Sequence, residues 1–298
     1  MKPPPFRYHT PRSVPEAVAL LRDSPGEARV LAGGQSLVPL LNLRLAYPEV
    51  LVDLNGVEGL SYIRDEGSRL CIGAMTRQRE AEFSALLAER CPLVVEALAQ
   101  VGHPAIRNRG TVGGSLAHAD PVAELPCVMT ALDAELVASG PAGERIIAAG
   151  DFFPAPYETA LSPGEILVEV RVPVAPHVPR PPTASFVEFS RRHGDFALAE
   201  AAAVLKGDGA LTGARVVVAG PAWTPARLEA VEGLVAASGV DRTDGRARRD
   251  LVEETGRTAE DAVAALPTHA NATAYQQRLA AVLVKRAVAQ ALERWSRN

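Results

Sequence analysis

The sequence is poor in the residues that build metal centres and disulfide frameworks. Its 298 residues include three cysteines, Cys71, Cys91 and Cys127, which stand singly in apolar or mixed stretches without a CxxC pair or a His/Cys spacing. A zinc site or an iron–sulfur cluster within this chain is therefore not indicated. We expect all three cysteines to behave as small buried hydrophobic residues.

The chain also lacks a long apolar run and an excess of basic charge. Its N-terminal residues carry no hydrophobic stretch typical of a signal peptide, and no segment reaches the length of a transmembrane span. The formal net charge of −4 gives no reason to expect binding to nucleic acid or to an anionic membrane. A content of 47% hydrophobic and 22% charged residues is typical of a globular protein. We therefore expect a cytoplasmic protein.

Several catalytic patterns are missing as well. The glycine-rich stretches match neither GxGxxG nor GxxxxGK[ST], which disfavours a Rossmann-type NAD site and a Walker-type phosphate loop. The sequence offers no recognisable Ser/His/Asp set, glycosidase-like carboxylate pair or cysteine nucleophile. Any chemistry of this chain therefore belongs to a bound cofactor.

Two glycine clusters about eighty residues apart are the most informative feature that is present. They are Ala32-Gly33-Gly34-Gln35-Ser36 and Thr111-Val112-Gly113-Gly114-Ser115. Glycine permits positive φ and close approach of another group, so each cluster predicts a turn whose backbone N–H groups face an anion. Either cluster alone is also compatible with an ordinary tight turn. Together they suggest a diphosphate held from two sides, and hence a nucleotide cofactor.

The pattern of strands and helices predicts an α+β protein of three domains. Residues 1–57 form an α/β unit in which Ser13 caps a helix over Pro15–Arg22 and the first glycine cluster lies between a strand and a helix. Residues 58–175 form an α+β domain with a largely antiparallel sheet. The prolines from Pro173 to Pro182 predict a linker. Residues 176–298 contain three predicted strands and then three helices, the last over Ala274–Trp295.

Four further features allow both a functional and a structural interpretation. Asp120 could accept hydrogen bonds from sugar hydroxyls or cap the helix that follows it. His118 is interpreted as a surface histidine, because no third metal ligand is evident. Arg107 and Arg109 either steady an anion or lie solvated on the surface. The segment from Ser190 to Ala197 is either the edge of a cleft or an ordinary hairpin turn.

In this order along the chain, the motifs resemble those of the FAD-binding medium subunits of three-subunit molybdenum hydroxylases, the family that includes carbon monoxide dehydrogenase and xanthine dehydrogenase. The resemblance rests on residues 32–44 (AGGQSLVPLLNLR), 106–121 (IRNRGTVGGSLAHADP), 164–167 (GEIL) and 191–197 (RRHGDFA). It implies a two-lobed FAD-binding fold of the vanillyl-alcohol oxidase type. The C-terminal α+β domain would carry a three-stranded antiparallel sheet with helices.

The resemblance also implies which residues hold FAD without a covalent bond. The two glycine clusters would bind the diphosphate mainly through backbone donors, Asp120 would meet the sugar-like portion, and Leu167 would lie near the isoalloxazine ring. The expected FAD-binding residues are Ala32, Gly33, Gly34, Gln35, Ser36, Leu37, Thr111, Gly113, Gly114, Ser115, Asp120 and Leu167.

By the same resemblance, the chain passes electrons from [2Fe–2S] clusters in a small partner subunit through FAD to NAD⁺, oxygen or a quinone. The substrate would be oxidised at a molybdopterin centre in a large partner subunit, within a dimer of heterotrimers. Two other functions stay open: a stand-alone FAD-dependent oxidase and a non-redox nucleotide-binding scaffold.

The sequence departs from some relatives beside the flavin ring. Where these carry a lysine, this chain reads Phe186-Val187-Glu188-Phe189, and a charged Glu188 would repel an anionic flavin. The cysteine-bearing insertion of the benzoyl-CoA reductase branch is absent, which argues against that branch.

Overall fold

The computed structural model describes residues 2–24, 26–174, 183–268 and 272–297. Within these ranges the named strands form three separate sheets, of three, five and four strands in chain order. The α+β class expected from the sequence is confirmed. The predicted linker falls largely outside the described residues, since Pro173 ends a strand and residues 175–182 are not described.

The first sheet is parallel and has the order β1-β3-β2. Ser13 caps the first helix as predicted, because its Oγ accepts from the backbone N of Glu16 at 3.3 Å. The sequence does not predict strand β1, because its three residues, of which Arg7 and Tyr8 are exposed, follow a run of prolines and show no apolar alternation. The elements are β1 (Arg7–His9), α1 (Val14–Arg22), β2 (Ala28–Leu31), α2 (Leu37–Leu43) and β3 (Val50–Asp53).

The second sheet is antiparallel, as expected, with the order β4-β5-β8-β6-β7. The sequence pattern also predicts one helix over Gln78–Ala88. The structure has two short helices here, because Ser84 starts a new one by accepting from the backbone N of Leu87. The elements are β4 (Ile63–Asp65), β5 (Arg69–Gly73), α3 (Gln78–Glu82), α4 (Ala85–Arg90), α5 (Pro92–Gln100), α6 (Pro104–Arg107), α7 (Val112–His118), α8 (Glu124–Ala131), β6 (Glu135–Gly140), β7 (Gly143–Ala148), α9 (Ala149–Phe152) and β8 (Ile166–Pro173).

The third sheet corrects the expectation of three strands. It is antiparallel with four strands in the order β12-β11-β10-β9. The helix predicted over Arg227–Ala237 begins at Glu229, because Arg227 belongs with Ala226 to the fourth strand. A two-residue strand carries no readable period, so the sequence could not reveal it. The elements are β9 (Ala184–Ser190), β10 (Ala197–Lys206), β11 (Gly213–Ala219), β12 (Ala226–Arg227), α10 (Glu229–Ser238), α11 (Gly245–Ala264) and α12 (Ala274–Arg297).

The two faces of the third sheet are buried against different parts of the chain. Ala199, Ala201 and Ala203 of β10 pack in one cluster with buried residues of α10, α11 and α12. Ala202 and Val204, on the opposite face, belong to the large cluster that contains α5, α8 and the second sheet. Because successive strand residues point to opposite faces, the third sheet lies between its own helices and the preceding part of the chain.

Strand β8 joins the first and second sheets. Leu167 and Val170 point into the large core of the second sheet, whereas Ile166 and Val168 belong to the cluster that holds Val50 and Val52 of the first sheet. One face of β8, a strand of the second sheet, therefore packs against the first sheet, and its other face packs into the large core. This arrangement fixes the loops after β2 and β5 relative to each other.

Candidate cofactor-binding site

The two glycine clusters lie against each other in the structure. A Cβ added to Gly33 would lie 2.4 Å from the carbonyl oxygen of Arg109 and 2.7 Å from the Cα of Gly110. A Cβ added to Gly114 would lie 3.3 Å from the Cβ of Ala32. Segments about eighty residues apart in the sequence thus form one continuous backbone surface, as the shared-ligand interpretation requires.

The first cluster offers a run of unpaired backbone donors. The amides of residues 33–37 donate to no acceptor within the described part of the chain. Gly34 has φ of +73°, so the positive φ predicted for this cluster is confirmed at one of its two glycines. Alternation of ordinary and left-handed backbone turns successive N–H groups toward one point, which is the geometry of an anion-binding nest.

The second cluster has a different role from the predicted turn. Gly113 and Gly114 lie in the first turns of α7, and neither has positive φ. Their amides are already used, since Gly113 N donates to the carbonyl of Ala74 at 2.8 Å and Gly114 N donates to Oγ1 of Thr111 at 3.0 Å. Ser115 N donates to the Thr111 carbonyl. This segment can therefore offer hydroxyl groups of Thr111 and Ser115 and close approach, rather than free amides.

Close packing explains why glycine is needed at both positions of the second cluster. A Cβ on Gly113 would lie 2.5 Å from the Cβ and 2.8 Å from the carbonyl oxygen of Ala74. One on Gly114 would lie 2.6 Å from Oγ1 of Thr111. Real Cβ atoms do not approach other atoms so closely, so Gly113 lets α7 dock on the strand end after β5, and Gly114 leaves room for the Thr111 cap.

Arg77 and Asn55 bracket the contact between the clusters, and sequence reasoning missed both. Arg77 donates to the carbonyl oxygen of Arg109 at 2.5 Å and to Oδ1 of Asn55 at 2.6 Å. Asn55 in turn donates to the carbonyl oxygen of Ala32 at 2.9 Å. The half-buried Arg77 guanidinium thus places a positive charge at the contact. Burial and the charge of Arg109 lower the pKa of Arg77. No motif around Arg77 signals this role.

Asp120 is buried at the end of α7 and shapes the turn that follows. Its Oδ1 accepts from the backbone N of Val122 at 3.1 Å, while α8 begins later, at Glu124 after Ala123. Asp120 therefore closes a turn instead of capping the helix. Its carboxylate also faces the Tyr157 hydroxyl, whose pKa is raised by burial and by Asp120. A carboxylate has acceptor capacity beyond these contacts.

His118 is half-buried beside Tyr157, so the expectation of a surface histidine is only partly met. The two rings lie 5.3 Å apart between centroids. Burial lowers the pKa of His118, against an opposite effect of the Asp120 charge. The backbone N of Tyr157 donates to the carbonyl of Ala119, which ties this pair to the end of α7.

Leu167 is followed in the sequence by a residue whose backbone carbonyl helps to hold the second cluster in place. The neighbouring Val168 accepts from the backbone N of Ala74 at 2.9 Å, and Ala74 accepts from Gly113 N. The Leu167 side chain is 5% exposed and belongs to the large core, and its backbone lies in an inner strand of the sheet, where Leu167 pairs with Ala138 of β6.

The two arginines before the second cluster have different roles. Arg107 is 5% exposed and pairs with Glu82 at 2.8 Å, and it also donates to the carbonyls of Val101 and Gly102. Arg107 is therefore a structural residue. Arg109 is exposed beside the glycine contact.

The 191–197 segment is exposed up to Phe196, and a Cβ on Gly194 would lie 2.7 Å from the ring of His103.

These groups fit a dinucleotide diphosphate. The site combines a run of unpaired amides, a glycine at positive φ, a cation at the contact and a second segment whose glycines keep the surface free of side chains. The cysteines are buried and free, as expected, and the described residues contain no group of three or more His, Cys, Asp or Glu able to hold a metal ion. No helix among them is long and apolar enough to cross a membrane.

Comparison with known proteins agrees with this chemistry. Residues 4–175 match the model of the FAD binding domain in molybdopterin dehydrogenase. The chain is 40% identical to the 6-hydroxypseudooxynicotine dehydrogenase complex subunit alpha of Paenarthrobacter nicotinovorans. This match covers 99% of the chain and 97% of that protein. It is 37% identical to the carbon monoxide dehydrogenase medium chain of Hydrogenophaga pseudoflava, in a match that covers the whole chain and 99% of that protein. A solved structure of that organism's enzyme superposes with a TM-score of 0.88, at 37% identity and 99% coverage of both chains.

Proposed function

The chain belongs to the family of FAD-binding medium subunits of molybdenum hydroxylases, and from this premise we propose that it carries electrons from a partner's iron–sulfur clusters through its own FAD to an external acceptor. FAD supplies the redox chemistry, since it accepts electrons singly and can give them on as a pair. The unpaired amides of residues 33–37 beside Arg77 are the observation that supports this role most directly.

Each cofactor-binding residue has a specific task in this proposal. The amides of Gly33 to Leu37 donate to the diphosphate, and Arg77 balances its charge. Thr111 and Ser115 add hydroxyl donors from the second cluster, while Gly113 and Gly114 let that segment approach. Asp120 accepts from sugar hydroxyls. Leu167 contacts the ring system through its backbone. Ala32 and Gln35 complete the turn, where Gln35 donates to the carbonyl of Gly33 at 3.1 Å.

The finer description of the fold is part of the proposal. We assign residues 1–57 and 58–175 to two lobes of a vanillyl-alcohol oxidase type FAD-binding fold, and residues 176–298 to a C-terminal domain. The three sheets follow one another in chain order, and one face of β8 in the second sheet packs against the first sheet, which supports the division.

The proposed partners are a large molybdopterin subunit and a small [2Fe–2S] subunit, assembled as a dimer of heterotrimers. Relatives are named as a subunit of a dehydrogenase complex and as the medium chain of carbon monoxide dehydrogenase, which supports a multi-subunit assembly.

The test is electron transfer in the purified complex. Under anaerobic conditions, the partners' substrate should bleach the flavin of the complex, whereas the isolated chain should be bleached by dithionite and not by that substrate. A complex with Gly33→Ala, which adds a side chain against Arg109, should reduce its iron–sulfur clusters but not the external acceptor. Substrate turnover by the isolated chain would instead indicate a stand-alone oxidase. A chain that binds a nucleotide without any redox change would indicate a scaffold.

A further inference from the structure

A cluster of three acidic side chains lies where the third sheet packs on α8. Glu188 of β9 and Glu200 of β10 are direct cross-strand partners, so their side chains share one face of the sheet. That face also carries Phe186 and Ala202 and packs in the same core as buried residues of α8. Glu124 is the first residue of α8 and is 9% exposed. We call Glu124, Glu188 and Glu200 the carboxyl cluster.

Glu200 is the least satisfied member of the carboxyl cluster. It is 0% exposed, and neither carboxyl oxygen has a hydrogen-bond partner within the described residues. Oε2 of Glu188 is likewise buried without a partner. A buried carboxylate without a donor or a cation is strongly unfavourable, so such a group keeps a proton instead.

The charged and titratable groups around the cluster do not supply a counterion. Asp120 faces it from the segment before α8, and the buried thiol of Cys127 faces it from α8 itself. Arg107 favours ionisation of Glu124, but its guanidinium is bonded to Glu82. Glu96 of α5, which also packs on β9, is paired with Arg294 at 2.6 Å.

Burial accordingly dominates the ionisation of all three groups. It raises the pKa of Glu124 to about 8, helped by the charges of Glu188 and Asp120. It raises the pKa of Glu188 to about 7, against a hydrogen bond from Ser190. It raises the pKa of Glu200 well above its ordinary value, helped by Glu124, Glu188 and Asp120, against a smaller opposite effect of the Cys127 thiol.

From this geometry we propose that the carboxyl cluster is a proton-binding site that holds the third sheet on α8 and makes FAD binding proton-linked through Asp120. The link to FAD rests on the proposed function, whereas the proton site does not. Asp120 lies four residues before Glu124 and is electrostatically coupled to both Glu124 and Glu200. Bound FAD carries negative charge, and in the proposed function its sugar-like portion lies at Asp120, so bound FAD would strengthen proton binding by the cluster. By reciprocity, protons in the cluster strengthen FAD binding.

The sign of the stability effect follows from the raised pKa values. In the unfolded chain these carboxyls release their protons near pH 4.5, the ordinary value, whereas in the folded chain Glu188 and Glu124 keep them until pH about 7 and about 8. The folded state therefore binds more protons across this window. The cluster's contribution to stability is fully present below the window and is lost as pH rises through it.

Denaturant unfolding of the full chain without FAD tests the proton site itself. Glu200→Gln keeps the shape of the side chain but removes the ionisation, so it should stabilise the chain at pH 8 relative to the wild type and have much less effect at pH 5. Glu124→Gln and Glu188→Gln should act in the same direction. The matched control is Glu144→Gln on exposed β7, which should act equally at both values. Equal destabilisation by Glu200→Gln and Glu188→Gln at pH 5 and pH 8 would overturn the proposal.

Titration of the chain with FAD between pH 6.5 and 9 tests the link. Wild-type affinity should fall as pH rises, by up to about tenfold per pH unit for one linked proton. Glu200→Gln and Glu124→Gln should flatten this dependence, and Glu144→Gln should leave it unchanged. The same pH dependence in all four proteins would overturn the link. Failure of the wild type to bind FAD at any pH would contradict the proposed function, and the unfolding experiment would still decide the proton site.

Discussion

Gly33 packs directly on the backbone of Gly110, so that a side-chain carbon at residue 33 would lie 2.7 Å from the Cα of Gly110. The first glycine of the first cluster is therefore required by a long-range contact and not by its own backbone conformation. The second glycine, Gly34, has the positive φ. The two adjacent glycines thus have different roles. Gly33 allows the close contact between the clusters, and Gly34 orients the backbone amides.

Gly33→Ala should separate the two clusters and cost most of the FAD affinity. The new methyl group would meet the carbonyl of Arg109, which is rigid backbone and cannot move aside. We expect a chain that folds but is isolated without flavin, as measured by the ratio of flavin to protein absorbance. Gly233→Ala in α10 is the control, since nothing lies within 4 Å of its added Cβ. That change should leave flavin content intact and stabilise the helix by about 0.5 to 1 kcal/mol. A Gly33→Ala protein with the flavin content of the wild type would contradict the claim that this close contact is needed for FAD binding.

Substitution of Arg77 should weaken FAD binding, with Lys less damaging than Gln. The guanidinium bridges Asn55 and the Arg109 carbonyl while providing positive charge, and an ammonium can supply only the charge. Arg77→Gln removes the positive charge beside the proposed diphosphate site, and loss of one charged hydrogen bond to the diphosphate should cost roughly 1.5 to 3 kcal/mol of binding free energy. Isothermal titration with FAD measures this cost. The exposed Arg246 is the matched control, and Arg246→Gln should bind FAD normally. Equal affinities of the two Gln variants would show that Arg77 does not face the cofactor.

Asp120→Asn tests the proposed sugar contact without breaking the local turn. The amide oxygen can still accept from the backbone N of Val122, whereas the negative charge is lost. We expect an unchanged unfolding midpoint and a weaker FAD affinity. Asp120→Ala should lower both, because it also removes the turn contact. Normal FAD affinity in the Asn variant would leave Asp120 a purely structural residue.

Arg107→Ala should affect folding rather than FAD contact. Its guanidinium pairs with Glu82 and satisfies two backbone carbonyls inside the protein, and removal of one partner of a buried ion pair costs about 3 to 5 kcal/mol. Urea unfolding of the wild type and the variant measures this loss. The fraction that stays folded should bind FAD with wild-type affinity. A variant of normal stability that has lost FAD would reverse the assignment.

The sequence predicted features that depend on local chemistry. The cap of α1 by Ser13, the positive φ of Gly34 and the burial of the cysteines all follow from short-range pattern and residue type. The roles of Asn55 and Arg77 could not be predicted, because they depend on contacts between segments far apart in the chain. The second cluster was misread as a turn for the same reason, since only the packing of α7 on Ala74 explains its glycines.

The carboxyl cluster also lay beyond sequence reasoning. Glu188 was expected to carry a charge that repels an anionic flavin, but its burial raises its pKa to about 7. Glu200 stands in the Ala- and Leu-rich strand β10 without any motif. Only the register of β9 on β10 and the packing of α8 bring these carboxyls together.

Amide hydrogen exchange on the chain with and without FAD tests the account most directly. The amides of residues 33–37 have no acceptor within the described residues, whereas those of Gly113, Gly114 and Ser115 are bonded inside the protein. We expect rapid exchange at residues 33–37 in the FAD-free chain and strong protection when FAD is added, with little change at residues 113–115. Bound FAD together with unchanged rapid exchange at residues 33–37 would contradict it.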